Sequence, residues 1–435
     1  MNRTEIVAKH QEFLFPSVST FYAEPLPLTR GEGQFIWDVD GKRYLDFFGG
    51  IVTVGVGHCH PKVTAKIAQQ VRTLQHTSTF FPHEATVRLA EKMADIAPGR
   101  LSKTYFTNSG TEAVETAVLL ARLHTGRTEI IALRHGYSGR SQTAMSLTAH
   151  ASWRLSPVTD SGVVHAHNAY CYRCAFEKTY PECKLLCARD VEELIKTATS
   201  GKVAAFIAEP IQGVGGFVTP PEEYFREISS IIKANGGVII SDEVQSGFGR
   251  TGDHWFGIEH WGVEPDIITC AKAMANGTPV GATVTTPEIA AAIKGPQIST
   301  FGGNPVTAVA ALATIEVIEE EGLLANAAAM GSELAKGLNH LKTSHAIVGD
   351  VRGKGLMQAI ELVNNLESKE PAPLVMNALL EATREHGLLI GKGGLSGNTV
   401  RLSPPLNINK ADVDAAIDIL DRSLSDVAKT TPVNV

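Results

Sequence analysis

The feature that most limits what this chain can fold into is an alternation. From about residue 55 to 320, short apolar runs ("KTYFTN", "EIIALR", "VAAFIAEP", "GGVIISDEV", "DIITCAK", "VGATVTT") alternate with helical patterns such as 112–124 and 223–234. Such runs, bounded by turn residues, read as strands buried on both faces. Strand–helix alternation then builds an α/β domain around a largely parallel sheet. Upstream, "GEGQFIWDVDGKRYLDF" reads as strand, Asp-Gly turn, strand. After a long helical stretch around 306–341, "VGDVRGKGLMQAIELV" and "NTVRLSPPLNI" supply strands with helices beside them, making a smaller C-terminal α+β domain. At 435 residues the chain exceeds one typical core. The expected division is an N-terminal arm with part of the small domain over 1–54, a large domain over 55–325 and a C-terminal small domain over 326–435.

Composition excludes several classes. The net charge is −7 with Lys and Arg scattered, so nucleic acid is not an expected partner. No apolar run is long enough to span a bilayer. The opening "MNRTEIVAKHQEF" lacks an apolar signal core, and Glu5 and Glu12 argue against a transit peptide, so a cytoplasmic protein is expected. Four of the six cysteines, Cys171, Cys174, Cys183 and Cys187, crowd into "CYRCAFEKTYPECKLLC". CxxC followed by CxxxC resembles a small zinc site. A reduced, partly buried loop without metal is the other reading, and the one expected here.

In open α/β sheets, sites lie at the C-terminal edge of the strands. There "VIISDEVQSG" runs into Asp242 and then Gln245; an aspartate in that place either caps a turn or does chemistry. The run "PDIITCAKAMANG" carries Lys272 out at the same edge, either to the surface or into a pocket. "TNSGTEAVETAVLLARLH" passes from a strand through Ser109-Gly110-Thr111 directly into a helix. Such a start serves as an N-cap, or offers free N–H groups to a phosphate. Tyr137, in "HGYSGR", adds a ring that either packs or stacks on a flat ligand. Together the four describe one cofactor. Pyridoxal phosphate needs an amine for a Schiff base, an acid against its pyridine nitrogen, and donors for its phosphate. Lys272 is read as that amine, its pKa lowered by burial so that a fraction is neutral and nucleophilic. Asp242 is read as the acid.

At these residues the chain resembles class III (subgroup II, fold type I) pyridoxal-phosphate aminotransferases, over nearly its whole length. The matching stretches are "NSGTEAVE", "AEPIQGVGG", "SDEVQSGFGRTG", "PDIITCAK", "STFGGNP", "DVRGKGLM" and "VRLSPPL", in the family's order. Within the class it is most similar to alanine–glyoxylate aminotransferases, through "AEPIQGVGG", "VTTPEIA" and "IGKGG". The resemblance implies that Lys272 holds the cofactor and moves the proton, that Asp242 pairs with the pyridinium, and that Gln245 bonds the ring hydroxyl. It implies phosphate binding by Gly110 and Thr111, stacking by Tyr137, and an orienting role for Glu209. Thr300 would reach the phosphate bound by a partner subunit, which implies a homodimer or a dimer of dimers. Arg401 would bind the substrate carboxylate through its planar fork.

Two departures carry meaning. The family's aromatic-His-Gly triplet reads Tyr137-Ser138-Gly139 here, and Val214 stands where ω-amino-acid members carry a glutamate. That glutamate would pair with the arginine; with valine, Arg401 stays available to an α-carboxylate. The implied reaction is a ping-pong exchange between small α-amino acids such as alanine and 2-oxo acids such as glyoxylate or pyruvate. The alternative is a phospholyase, in which the same cofactor expels phosphate from a phosphorylated amino alcohol or amino acid.

Overall fold

Each apolar run of the chain's middle becomes one strand of a single sheet. The computed structural model describes residues 1–155, 160 and 162–430. Its seven-stranded sheet has the order Lys103–Thr107, Gly281–Thr285, Ile267–Cys270, Val238–Asp242, Ala205–Ala208, Ile130–Leu133 and Val163–Ala166. Gly281–Thr285 runs against both its neighbours, and the remaining pairs are parallel. The sheet is therefore mixed but mainly parallel. Alternate residues of one strand point to opposite faces, and the packing follows that period. Ile130 and Ala132 pack with the helix Gly110–Thr125, whereas Ile131 and Leu133 pack with the helices Leu186–Ala198 and Tyr224–Ala234. Burial on both faces is why these strands read as unbroken apolar runs.

The second half of the chain forms an antiparallel sheet in the order Val348–Lys354, Met357–Leu362, Thr399–Leu402 and Gly391–Gly393. Helices Leu323–Ser344 and Pro373–Glu385 pack against this sheet, and Lys410–Thr430 packs against both of them. Near the N-terminus, Leu28–Glu32, Phe35–Asp38 and Arg43–Asp46 form an antiparallel meander, closed on one side by Leu388–Leu389 in parallel with Arg43–Asp46. The stretch read as one helical run at 306–341 is two helices, Pro305–Glu320 and Leu323–Ser344, and the chain turns between them at Gly322 with φ of 61°. A left-handed residue ends a helix, and glycine adopts it without a Cβ clash. Among the described residues no helix is long and apolar enough to cross a membrane.

Candidate active site

Four segments leave the same edge of the large sheet, and each delivers a polar group to one cavity of about 190 Å³. Ala205–Ala208 ends at Glu209, Val238–Asp242 at Asp242, and Ile267–Cys270 runs through Ala271 to Lys272. Lys103–Thr107 leads into the helix that starts at Gly110 and Thr111. As the first helical residues, these two have N–H groups with no partner inside the helix. Ser109 caps the same helix, its hydroxyl accepting from the Glu112 N–H at 3.3 Å. The capping and phosphate readings therefore coexist.

The carboxylates and the lysine are poised by burial. Asp242 is buried, and Oδ1 accepts from the Val244 N–H at 3.1 Å. Burial pushes its pKa up to about 6 against the pull of that N–H and of Lys272. Glu209 accepts from the Tyr137 and Gly213 N–H groups, at 3.1 and 2.7 Å, and burial with the nearby Asp242 charge moves it up to about 7. Lys272 sits at φ 49°, a left-handed conformation that non-glycine residues adopt at a cost. Burial lowers its ammonium to about 8, with Asp242 and Glu209 working in the other direction. All three groups are brought toward neutrality, the pattern of groups tuned to exchange protons.

Two further residues shape the cavity. Gln245 is buried, and its Oε1 has no hydrogen-bond partner. It lies so close to Gly213 that a Cβ there would stand 2.1 Å from Nε2. Gly139, at φ 128°, lets the chain pass Thr111, where a Cβ would come within 2.3 Å of Oγ1. Tyr137 lines the cavity and meets Trp153 edge-on at 5.8 Å, and Ser138, at the departure from the family triplet, donates its N–H to Thr148 Oγ1 at 3.0 Å.

These residues fit pyridoxal phosphate on their own terms. A buried carboxylate, an amine of lowered pKa, a helix start and an unpartnered amide oxygen converge on one space.

A second cavity, of about 420 Å³, opens beside the first and shares Tyr137, Gln245 and Lys272 with it. Arg401, on Thr399–Leu402, is 4% exposed and faces this space. Its Nε donates to the Lys392 carbonyl at 3.1 Å and Nη1 to the Gly213 carbonyl at 3.3 Å. Its guanidinium lies 5.2 Å from the Phe48 ring and 5.6 Å from the Phe217 ring. Burial lowers its pKa to about 10. Carbonyls and aromatic faces hold the arginine; the Glu209 charge acts on it at a distance, and no carboxylate among the described residues forms an ion pair with it. Val214 lines the same wall.

The family sequence description "Aminotransferase class-III" matches residues 19–424. The chain belongs to the class-III aminotransferases. It is 44% identical over 421 residues to an Arabidopsis thaliana protein named alanine–glyoxylate aminotransferase 2 homolog 2, mitochondrial, covering 97% of this chain and 87% of the relative. Among solved structures it resembles a Bacillus anthracis aminotransferase, with TM-score 0.92 and 33% identity over 97% of this chain and 98% of that one. It also resembles an amine transaminase from an uncultivated Pseudomonas species in its PLP-bound form, with TM-score 0.90 and 32% identity over 96% and 99% of the two chains. This class-III aminotransferase is a PLP-dependent transaminase of fold type I, acting between an amino acid and an oxo acid.

Of the residues singled out from sequence, Gly110, Thr111, Tyr137, Glu209, Asp242, Gln245 and Lys272 surround one cavity, and Arg401 and Val214 lie in the adjoining one. Thr300 does neither. It is exposed, on the loop between Ser299 and Gly303, outside both cavities of its own chain. Cys171, Cys174, Cys183 and Cys187 gather around a small separate hollow as free thiols. Among the described residues, no three or more His, Cys, Asp or Glu side chains are placed to hold a metal. Sequence reasoning missed Phe48 and Phe217 around Arg401, and His150, Trp153 and Lys392 in the larger cavity. Of these, only Lys392 stood inside a stretch already recognised, "IGKGG".

Proposed function

We propose that this class-III aminotransferase takes the amino group of a small α-amino acid such as alanine and delivers it to a 2-oxo acid such as glyoxylate or pyruvate, in two half-reactions at one site. The observation that carries this reading is Arg401, a buried guanidinium with Val214 beside it and no carboxylate among the described residues ion-paired to it. A planar fork of N–H donors suits a carboxylate bidentately. An α-carboxylate held there brings the substrate's Cα toward Lys272, which borders both cavities.

Pyridoxal phosphate, when bound, supplies the electron sink for the pair left behind by the Cα–H bond. In this reading Lys272 would hold the cofactor through its amine, and its Nζ would carry the proton to and from the substrate's Cα. Its lowered pKa keeps a neutral fraction available near physiological pH. Asp242 would keep the pyridine nitrogen protonated, Gln245 would offer Oε1 to the ring hydroxyl, and the Gly110 and Thr111 N–H groups would receive the phosphate. Glu209 fixes the turn at Tyr137 through two backbone bonds. Thr300, exposed on its own chain, is free to meet a partner's phosphate in a homodimer, and six unpaired cysteines suit a reducing compartment such as the cytoplasm.

The test is kcat/KM for alanine and for 4-aminobutyrate in the wild type, Arg401→Ala and Val214→Glu. The wild type should prefer alanine. Arg401→Ala should lower kcat/KM for alanine by about a hundredfold, because the lost bonds also position the Cα–H. Val214→Glu should weaken alanine turnover by giving Arg401 an internal partner. A wild type that prefers 4-aminobutyrate, or an alanine reaction untouched in Arg401→Ala, would refute the reading.

A further inference from the structure

The larger cavity carries more positive charge than an alanine-sized substrate can use. Among its described lining residues none is acidic, while Arg401, Lys272 and Lys392 are basic; His150, whose pKa burial lowers, is a buried polar group beside them. Lys392 lies on Gly391–Gly393, the strand paired with the one bearing Arg401. Its stem passes Gly397, and its ammonium donates to Asn377 Oδ1 at 3.0 Å. That partner is a neutral amide, and an ammonium has three donors. His150 is 5% exposed; Nδ1 contacts Ser152 Oγ at 2.9 Å, and Nε2 lies by the Gly394 backbone without a well-formed hydrogen bond. An unpartnered buried nitrogen costs free energy until something meets it, and the half-buried Lys392 ammonium keeps donors that an anion could take.

Taking the α-carboxylate to be held by Arg401, as in the proposed function, we propose that Lys392, with His150 and Ser152, forms a second anion-binding position. It recognises the far anionic group, carboxylate or phosphate, of an amino or oxo acid with a charged side chain. A ping-pong enzyme must admit two different acids to one site. Trp153 and Val214 give the uncharged side chain an apolar wall, and Lys392 gives the charged one a counter-ion.

Two measurements on the PLP-loaded enzyme decide this. In the first, calorimetry compares glutarate with butyrate, which differ by one carboxylate and cannot react. The wild type should bind glutarate about tenfold more tightly or better, the scale of one well-placed ion pair. Lys392→Met should remove that preference and Lys392→Arg should retain it. Lys392 is partly exposed, so the variants are not expected to unfold. In the second, the ratio of kcat/KM for glutamate or aspartate to that for alanine, with glyoxylate as acceptor, should fall about tenfold in Lys392→Met. If O-phosphoserine, rather than glutarate, is the ligand whose binding depends on Lys392, the position exists and its anion is phosphate. Equal wild-type affinity for glutarate, butyrate and O-phosphoserine, or ratios unmoved in Lys392→Met, would overturn the proposal. A wild type inert toward alanine would count against the proposed function alone, because the calorimetric comparison still decides this one.

Discussion

Two places in the molecule bury several ionisable groups, and they do so in opposite ways. On the strand Met357–Leu362, Glu361 is 1% exposed and fully matched. Arg352 Nη1 lies 2.8 Å from both Glu361 and Asp350, Arg173 Nε lies 2.5 Å from Glu361, and the Tyr170 hydroxyl also donates to it. Burial alone would push Glu361 up, but Arg352, Tyr170 and Arg173 outweigh it and hold the carboxyl below its usual range. In the cofactor cavity burial wins instead, leaving Asp242 near 6, Glu209 near 7 and Lys272 near 8. In the first cluster the Glu361 carboxylate is satisfied as it stands, and Arg352 is tied to the Gly216 carbonyl, close to the loop that supports Arg401. The second is complete only with the cofactor. A buried charge that is satisfied marks architecture; one held near its titration point marks chemistry.

The contrast is broken most sharply at Lys272. Lys272→Ala should cut turnover by roughly four orders of magnitude or more while the fold survives. Borohydride reduction and peptide mapping should find a pyridoxyl group on residue 272 in the wild type alone, and near-normal turnover in the variant would end the assignment. Asp242→Asn should lower kcat by about three orders of magnitude, with an unchanged circular dichroism spectrum. Activity close to wild type would mean that another group meets the ring nitrogen.

Glu361→Gln should do the reverse, costing about 3 kcal/mol of stability in urea titrations and leaving kcat/KM of the folded enzyme nearly unchanged. The sign of its pH dependence follows from a depressed carboxyl pKa. The stability that Glu361 provides is present above its ordinary value of 4.5 and is lost as pH falls through the folded value. The gap between wild type and Glu361→Gln should therefore narrow in acid. A constant gap would show that the charge is not what the cluster uses.

The smallest effect concerns the cofactor-free protein. Raised carboxyl pKa values favour the protonated folded form, so this contribution is present at low pH and is lost as pH rises toward the folded values of about 6 and 7. Melting temperature of the cofactor-free form should drop by a few degrees between about pH 5 and about pH 7. Asp242→Asn should flatten that slope. A slope equally steep in the variant would place its origin elsewhere.

Much of the cofactor cavity was legible because a parallel strand buried on both faces is an apolar run, and a polar residue at its end stands out. Glu209, Asp242 and Lys272 are such residues, and Gly110 and Thr111 announce themselves by an abrupt strand-to-helix passage. The larger cavity was not legible in the same way. Phe48, His150 with Trp153, Phe217 and Lys392 come from four separated segments, and nothing local to any of them forecasts the meeting. The Arg352–Glu361 pairing crosses two strands of one sheet, and Tyr170 and Arg173 join Glu361 from 191 and 188 residues upstream, which a one-dimensional pattern does not contain. The break at Gly322 was legible and was read through, because apolar residues continue on both sides of it.

The parallel pairing of Leu388–Leu389 with Arg43–Asp46 has a consequence for the order of assembly. The nearby Lys42 Nζ reaches the Glu385 carbonyl across 343 residues of chain. A polypeptide made from its N-terminus must leave that early meander with an open edge until nearly all of it has been synthesised. The residues around the smaller cavity lie between 110 and 272, whereas the larger one needs Phe21 and Phe48 from the beginning and Arg401 from close to the end. On the ribosome, the means to hold a coenzyme can be in place while the means to choose among substrates is still being translated.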